Sequence, residues 1–191
     1  LAQKVVDCYK EVKGKRGVKV TVSVSCFVPK AYTPFQWFAQ VPQEEFERRQ
    51  RLLKESIRDR AISFHYHDAR ASVLEGALSR GDRRLSAVIE TAWRNGAKFD
   101  GWTDQFKDEV WKDAFCRCGV APEFYSRRTR DLEEALPWAH TSPGVSEDFL
   151  RREWQRAQEA ALTHDCRRET CTGCGVCPEL GCDVVDWRGE A

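Results

Sequence analysis

Val18-Lys19-Val20-Thr21-Val22-Ser23-Val24-Ser25-Cys26-Phe27 alternates apolar and polar side chains over almost its whole length. Valine is β-branched and stiff at χ1, and a period of two lines one face with methyl groups, so the stretch predicts a β-strand. Before it, residues 2–13 place Val5, Val6, Tyr9 and Val12 on one helical face, ending at Gly14 and Gly17. After it, Pro29 and Pro34 bracket a stiff loop from Val28 to Trp37. A helix, a glycine turn, a strand and a loop at the strand's C-terminal end form the repeating unit of an α/β barrel or doubly wound sheet.

The pattern continues downstream. Pro42 and the acidic pair Glu44-Glu45 open a helix to about Arg60, with Phe46, Leu53 and Ile57 expected inward. A second strand is expected over Ala61–His67, with Ile62, Phe64 and Tyr66 on one face and Ser63, His65 and His67 on the other. From residue 69 the period becomes helical: one segment runs to Ser79, and another follows Asp82 with Leu85, Val88, Ile89, Ala92 and Trp93 in helical register. A short helix is expected near Phe106–Cys116. Ser146, with Glu147 and Asp148 behind it, caps a last helix carrying Phe149, Leu150, Trp154, Ala157 and Ala161.

A chain of 191 residues can bury one substantial core or two small ones. Its formal net charge of +1 provides no bulk attraction for nucleic acid or an anionic membrane. The N-terminus lacks the pattern of a signal peptide and no run of residues is apolar enough to span a bilayer, so a cytoplasmic location is expected. The chain starts at Leu1, contains no methionine and opens in the middle of a helical pattern, which leads us to expect a piece of a longer protein.

Nine cysteines in a reducing compartment stay as thiols. Four of them, Cys166, Cys171, Cys174 and Cys177, follow C-x4-C-x2-C-x2-C, and Cys182 lies five residues on. Thiolates this close in sequence can converge on one inorganic centre without help from the rest of the fold. Small spacers, Thr172-Gly173 and Gly175-Val176, let the backbone wrap around such a centre, and Pro178 is expected to end the wrap. An iron-sulfur cluster is favoured over zinc because the run is continuous, whereas zinc sites commonly split two C-x2-C pairs across a longer loop. Zinc, disulfides and free thiols remain open. Cys182 is a possible alternate ligand.

Several segments together resemble the C-terminal part of radical S-adenosylmethionine proteins, of the uncharacterised type whose full chains carry a cobalamin-binding domain ahead of the radical barrel. They are VSVSCFVPKAYTPFQW (Val22–Trp37), SVLEGALSRGDRR (Ser72–Arg84), AWRNGAKFDGW (Ala92–Trp102), LPWAH (Leu136–His140) and the closing CTGCGVC. The resemblance implies an α/β chain in three parts: the last units of a partial (β/α) barrel over 1–67, a mainly helical extension over 68–145, and a helix with a cysteine-rich metal module over 146–191. It implies S-adenosylmethionine, and for this type cobalamin, as cofactors of the full-length enzyme, with an unknown substrate. The C-x3-C-x2-C motif that builds the radical-generating cluster in that family is absent here, so the chain alone is expected to be inactive and its terminal cysteines to be an additional site, either an auxiliary cluster or a structural metal. The competing reading is a non-catalytic module, stapled by zinc, that binds RNA or protein; the near-neutral charge argues against RNA.

Other groups have two readings each. Lys30, Thr33 and Gln36, in the loop after the first strand, offer donors to a cofactor's carboxylate, adenine or ribose, or belong to a rigid turn that packs Phe35 and Trp37. Arg80, Arg83 and Arg84, around Asp82, form either an anion clamp at a helix start or a salt-bridge network with Glu75 and Asp82, the network being favoured. His65 and His67 lack a third metal partner, Cys116-x-Cys118 is too tightly spaced for joint ligation, and Cys8 and Cys26 are read as core thiols.

Overall fold

The computed structural model describes residues 1–14 and 17–182. It is α/β: the described residues form eight helices and one two-stranded parallel sheet. Helix α1 (Ala2–Lys13) ends at Gly14, whose φ of 60° donates the left-handed cap that stops it. Strand β1 (Val20–Val24) pairs in parallel with β2 (Ile62–Tyr66), Val22 opposite Phe64, with α2 (Gln43–Ser56) between them in sequence. Both strands are shorter than the alternating pattern, because the ladder stops where its partner ends; His67 N–H still reaches Val24 O at 3.2 Å.

Helices α3 (Ala69–Ser79), α4 (Leu85–Arg94), α5 (Asp108–Arg117) and the short α6 (Pro122–Ser126) follow. Ala77, Leu85, Val88, Ala92, Trp111, Phe115 and Tyr125 join these four helices in the larger core. α4 is narrower than its apolar register: Ile89 and Trp93 lie outside, 47% and 58% exposed, so only the Leu85–Val88–Ala92 stripe is buried. Leu53 of α2 is also exposed, as is Cys8 of α1; neither takes the core place its pattern indicates. Asp82 is not a helix cap. Its carboxylate accepts from Arg84 N–H, and the helix begins at Leu85 after this turn.

Helix α7 (Glu147–Gln158) begins as expected, with Ser146 Oγ accepting from Phe149 N–H at 3.3 Å. Leu150, Trp37 and Leu136 make a second core, and Trp154 fits among Phe35, Trp37 and Phe38 with ring centroids 6.4, 6.4 and 4.2 Å away. This aromatic contact brings the last long helix against the loop that follows β1. A one-turn helix, α8 (Val176–Leu180), lies within the cysteine segment, and Pro178 is inside it rather than beyond the wrap; the first turn of a helix needs no proline N–H. Of the expected terminal module, residues 183–191 lie outside the described residues. No described helix is long and apolar enough to cross a membrane.

Candidate functional site

The cysteine segment is held against the start of α7 by backbone contacts. Ser146 N–H donates to Cys174 O at 2.8 Å, and Arg152 of α7 donates to Gly173 O at 3.2 Å. Gly175 is the hinge of this seat. Its φ of 93° is open only to glycine without strain, and a Cβ there would meet Ser146 Cβ at 3.3 Å and Gly144 O at 3.4 Å. From that point α8 turns the chain back, and Cys182 N–H donates to Cys177 O at 3.1 Å.

This path brings the fifth cysteine beside the fourth. Cys177 has its thiol pKa raised, first by burial and then by Cys182, Cys174 and Cys166, the neighbouring thiols that disfavour a further negative charge. Cys171 faces outward, and its sulfur accepts from Gly173 N–H at 3.4 Å. Cys166, Cys174 and Cys177 are half-buried while Cys171 and Cys182 are exposed. All five are free thiols, and among the described residues no group of three or more His, Cys, Asp or Glu side chains is placed to hold a metal ion. By chemistry and spacing the donor set suits a thiophilic centre: soft ligands, a glycine-spaced backbone and an amide that donates to a cysteine sulfur.

The loop after β1 is stiff, and its polar atoms are largely engaged within the protein. Gln36 is 2% exposed; its Oε1 accepts from Trp138 Nε1 at 2.8 Å and from Tyr32 N–H at 3.1 Å. Thr33 Oγ1 donates to Lys30 O at 2.8 Å. Lys30 reaches out of the loop and pairs with Glu75 of α3. Tyr32, at a φ of 57°, donates its hydroxyl to Trp138 O at 2.9 Å, so this loop and the LPWAH segment lock together.

Arg80 belongs neither to an anion clamp nor to an ion-pair network. It is completely buried, and its guanidinium donates to the carbonyls of Phe38, Ser126, Gln36 and Arg128, the last three at 3.2, 3.3 and 3.3 Å. Burial, with the charges of Arg130 and Arg128 close by, pulls its pKa down to about 10, so it stays charged at neutral pH. Arg130 in turn donates to Arg80 O at 2.7 Å. The expected salt bridge survives only at Arg84, which pairs with Asp82; Arg84 and the Tyr125 hydroxyl hold that carboxyl well below the usual carboxylate range.

Cys26, half-buried at the end of β1, accepts from Gln50 Nε2 at 3.5 Å, and burial raises its pKa. Beside it, beyond the C-terminal end of β2, lies a cleft of about 630 Å³ bounded by α3 and the segment 100–106. His67 lines it, as does Glu75. Sequence reasoning did not mark this place; the tight FDGW turn at Phe99–Trp102 was the available signal. No protein-family model, curated protein or solved structure matches the chain.

Proposed function

We propose that this chain is the C-terminal portion of a radical S-adenosylmethionine iron-sulfur enzyme and that its terminal cysteines hold an auxiliary cluster. What supports the metal reading is the close spacing of Cys166, Cys171, Cys174 and Cys177 on a loop pinned to α7, with the Cys182 backbone folded back on Cys177. The radical-enzyme reading is supported by the resemblance of five ordered segments, and the β1–α2–β2 unit is compatible with the end of a partial barrel. Cys166, Cys174 and Cys177 would be ligands, with Cys171 or Cys182 completing the set. Such a cluster, when bound, supplies one-electron transfer or an open iron site. The chain's own part is to orient thiols, donate Gly173 N–H to sulfur and place Arg152 nearby. S-adenosylmethionine and cobalamin would be bound by residues preceding this sequence, with Lys30, which pairs with Glu75, the loop side chain that could turn toward a cofactor.

Anaerobic purification with iron and acid-labile sulfide assays tests the metal reading. We expect both elements in each chain, thiolate-to-iron absorbance that bleaches on oxidation, and loss of iron in Cys174→Ser and Cys177→Ser. Stoichiometric zinc without sulfide would reassign the module as a structural staple, and metal-free protein would refute it altogether. For the enzyme class, the encoded protein must carry C-x3-C-x2-C upstream of Leu1.

A further inference from the structure

Both strands of the sheet are entered through basic sequence. The stretch Lys13–Lys19, leading into β1, holds four cations and no acid, and Arg58 and Arg60 stand just ahead of β2. Because the strands run in parallel, both approaches lie at the amino end of the sheet. A cleft of about 570 Å³ opens there, lined by Lys10, Lys19, Arg58, Asp59 and Arg60 among others, and small-molecule sites typically span about 300–1,000 Å³.

The charge in this cleft is one-sided. Asp59 is the one acid among its described lining residues, and both carboxylate oxygens are engaged. Oδ1 accepts from Ala61 N–H at 2.9 Å, while Oδ2 accepts from Lys10 Nζ at 3.0 Å and Gln3 Nε2 at 3.3 Å. The Ala61 amide, then Lys10 and Gln3, hold its pKa down to about 2, so it is ionised at neutral pH and still offsets only one of four cations. The side chains of Lys19, Arg58 and Arg60 have no ion-pair or hydrogen-bond partner among the described residues, whereas Arg48, Arg49, Arg70 and Arg94 each lie against a carboxylate. In a chain of formal net charge +1, this end thus collects an excess of three positive charges. Like charges gathered without counter-charges repel, and an anion that enters relieves the repulsion.

The residue types narrow the anion. Guanidinium groups present planar forks that match phosphate oxygens two at a time, and a lysine ammonium adds a point charge. A single phosphate ester carries about two negative charges, fewer than the excess, and two joined phosphates carry more. The lining residues include no aromatic ring, which disfavours single-stranded nucleic acid because its bases stack on such faces. We propose that this cleft binds the diphosphate group of a small anion, the phosphate oxygens accepting from Arg58, Arg60 and Lys19 while Lys10, tied to Asp59, adds its charge. The site is independent of the cysteine centre and of the enzyme class proposed above.

Binding is tested on the 191-residue chain by amide-resolved NMR titration in metal-free, low-salt buffer with inorganic pyrophosphate, ADP, orthophosphate and succinate. We expect saturable shifts at Val18, Lys19, Arg58 and Ala61 with pyrophosphate, an affinity about tenfold or more above that of orthophosphate, and no saturation with succinate. ADP binding at least as tightly as pyrophosphate would assign a diphosphate ester as the ligand, and weaker ADP a free diphosphate; either order supports the site. Arg58→Gln combined with Arg60→Gln should weaken pyrophosphate by about tenfold or more, while Arg83→Gln, outside the cleft, leaves it unchanged. Orthophosphate or succinate binding as tightly as pyrophosphate would show a surface that merely attracts anions and overturn the proposal. Absence of saturable shifts, or a double variant that binds pyrophosphate as tightly, would overturn it too. So would a single-stranded oligonucleotide that binds here more tightly than pyrophosphate and more so with length, which would make the cleft part of a nucleic-acid track. The probe comparison needs no variant, so it stands whatever the substitutions do to folding.

Discussion

Replacing Arg80 by methionine keeps most of the buried stem and removes the guanidinium. Four main-chain carbonyls, those of Gln36, Phe38, Ser126 and Arg128, then lose a charged donor in a place with no exposed surface. A hydrogen bond to a charged group contributes about 1.5–3 kcal/mol net, but the carbonyls will partly relax or take up water, so four such values do not add. Leaving a buried acceptor unpaired costs about 1–3 kcal/mol, and with partial relaxation of the four carbonyls we expect the Arg80→Met loss to total about 3–5 kcal/mol. That is a large share of a typical stability of about 5–15 kcal/mol. In urea, with a slope of about 1–3 kcal/mol/M, the midpoint should drop by about 1–5 M at unchanged slope. Arg80→Lys should fall between, because an ammonium lacks the planar fork that reaches carbonyls on two sides. A midpoint within about 0.5 M of the parent chain would refute the claim that this guanidinium holds the three segments together.

Gly175→Ala, forced to a φ of 93° and pressed on Ser146, should weaken seating of the cysteine loop and lower the iron bound per chain, while Gly101→Ala, where a Cβ meets open space, should not; parallel metal assays decide. Gly76→Ala should destabilise by about 1–3 kcal/mol, since its Cβ would lie 2.3 Å from Oε1 of the buried Gln40, and Gln40→Ala should recover part of the loss in a thermal-melt double-mutant cycle. Asp82 titrates lower in the folded chain than in the unfolded one, so its contribution is complete above the unfolded carboxylate range and fades as pH falls through the folded value. Melting temperatures should therefore drop below about pH 4, and drop less steeply in Asp82→Asn.

Local patterns were readable where one physical cause dominates. The Val20–Val24 alternation, the stop at Gly14 and the Ser146 cap depend on neighbours within a few residues, and each appears where the sequence places it. The buried arginine did not declare itself, because Arg80 is satisfied by carbonyls some 40–50 positions away, and carbonyls are the same in every residue. Ile89 and Trp93 followed helical register yet stayed exposed, since register says which residues share a face and not whether another element covers it. In the cysteine segment, spacing singled out the thiols, but the left-handed turn at Gly175 and the reversal through α8 bring Cys182 to Cys177 while leaving Cys171 outward. Lys19 and Arg58 meet one cleft from separate segments, a juxtaposition no linear spacing encodes.

The rivet of Trp154 between Phe35, Trp37 and Phe38 has a consequence for shortened forms of the chain. Ending translation before Glu147 would strip the cover from a cluster of large aromatic rings, turning an interior surface into a sticky one. Such truncations should self-associate and be cleared by quality control, so loss of the tail would remove the whole domain and not only its thiols.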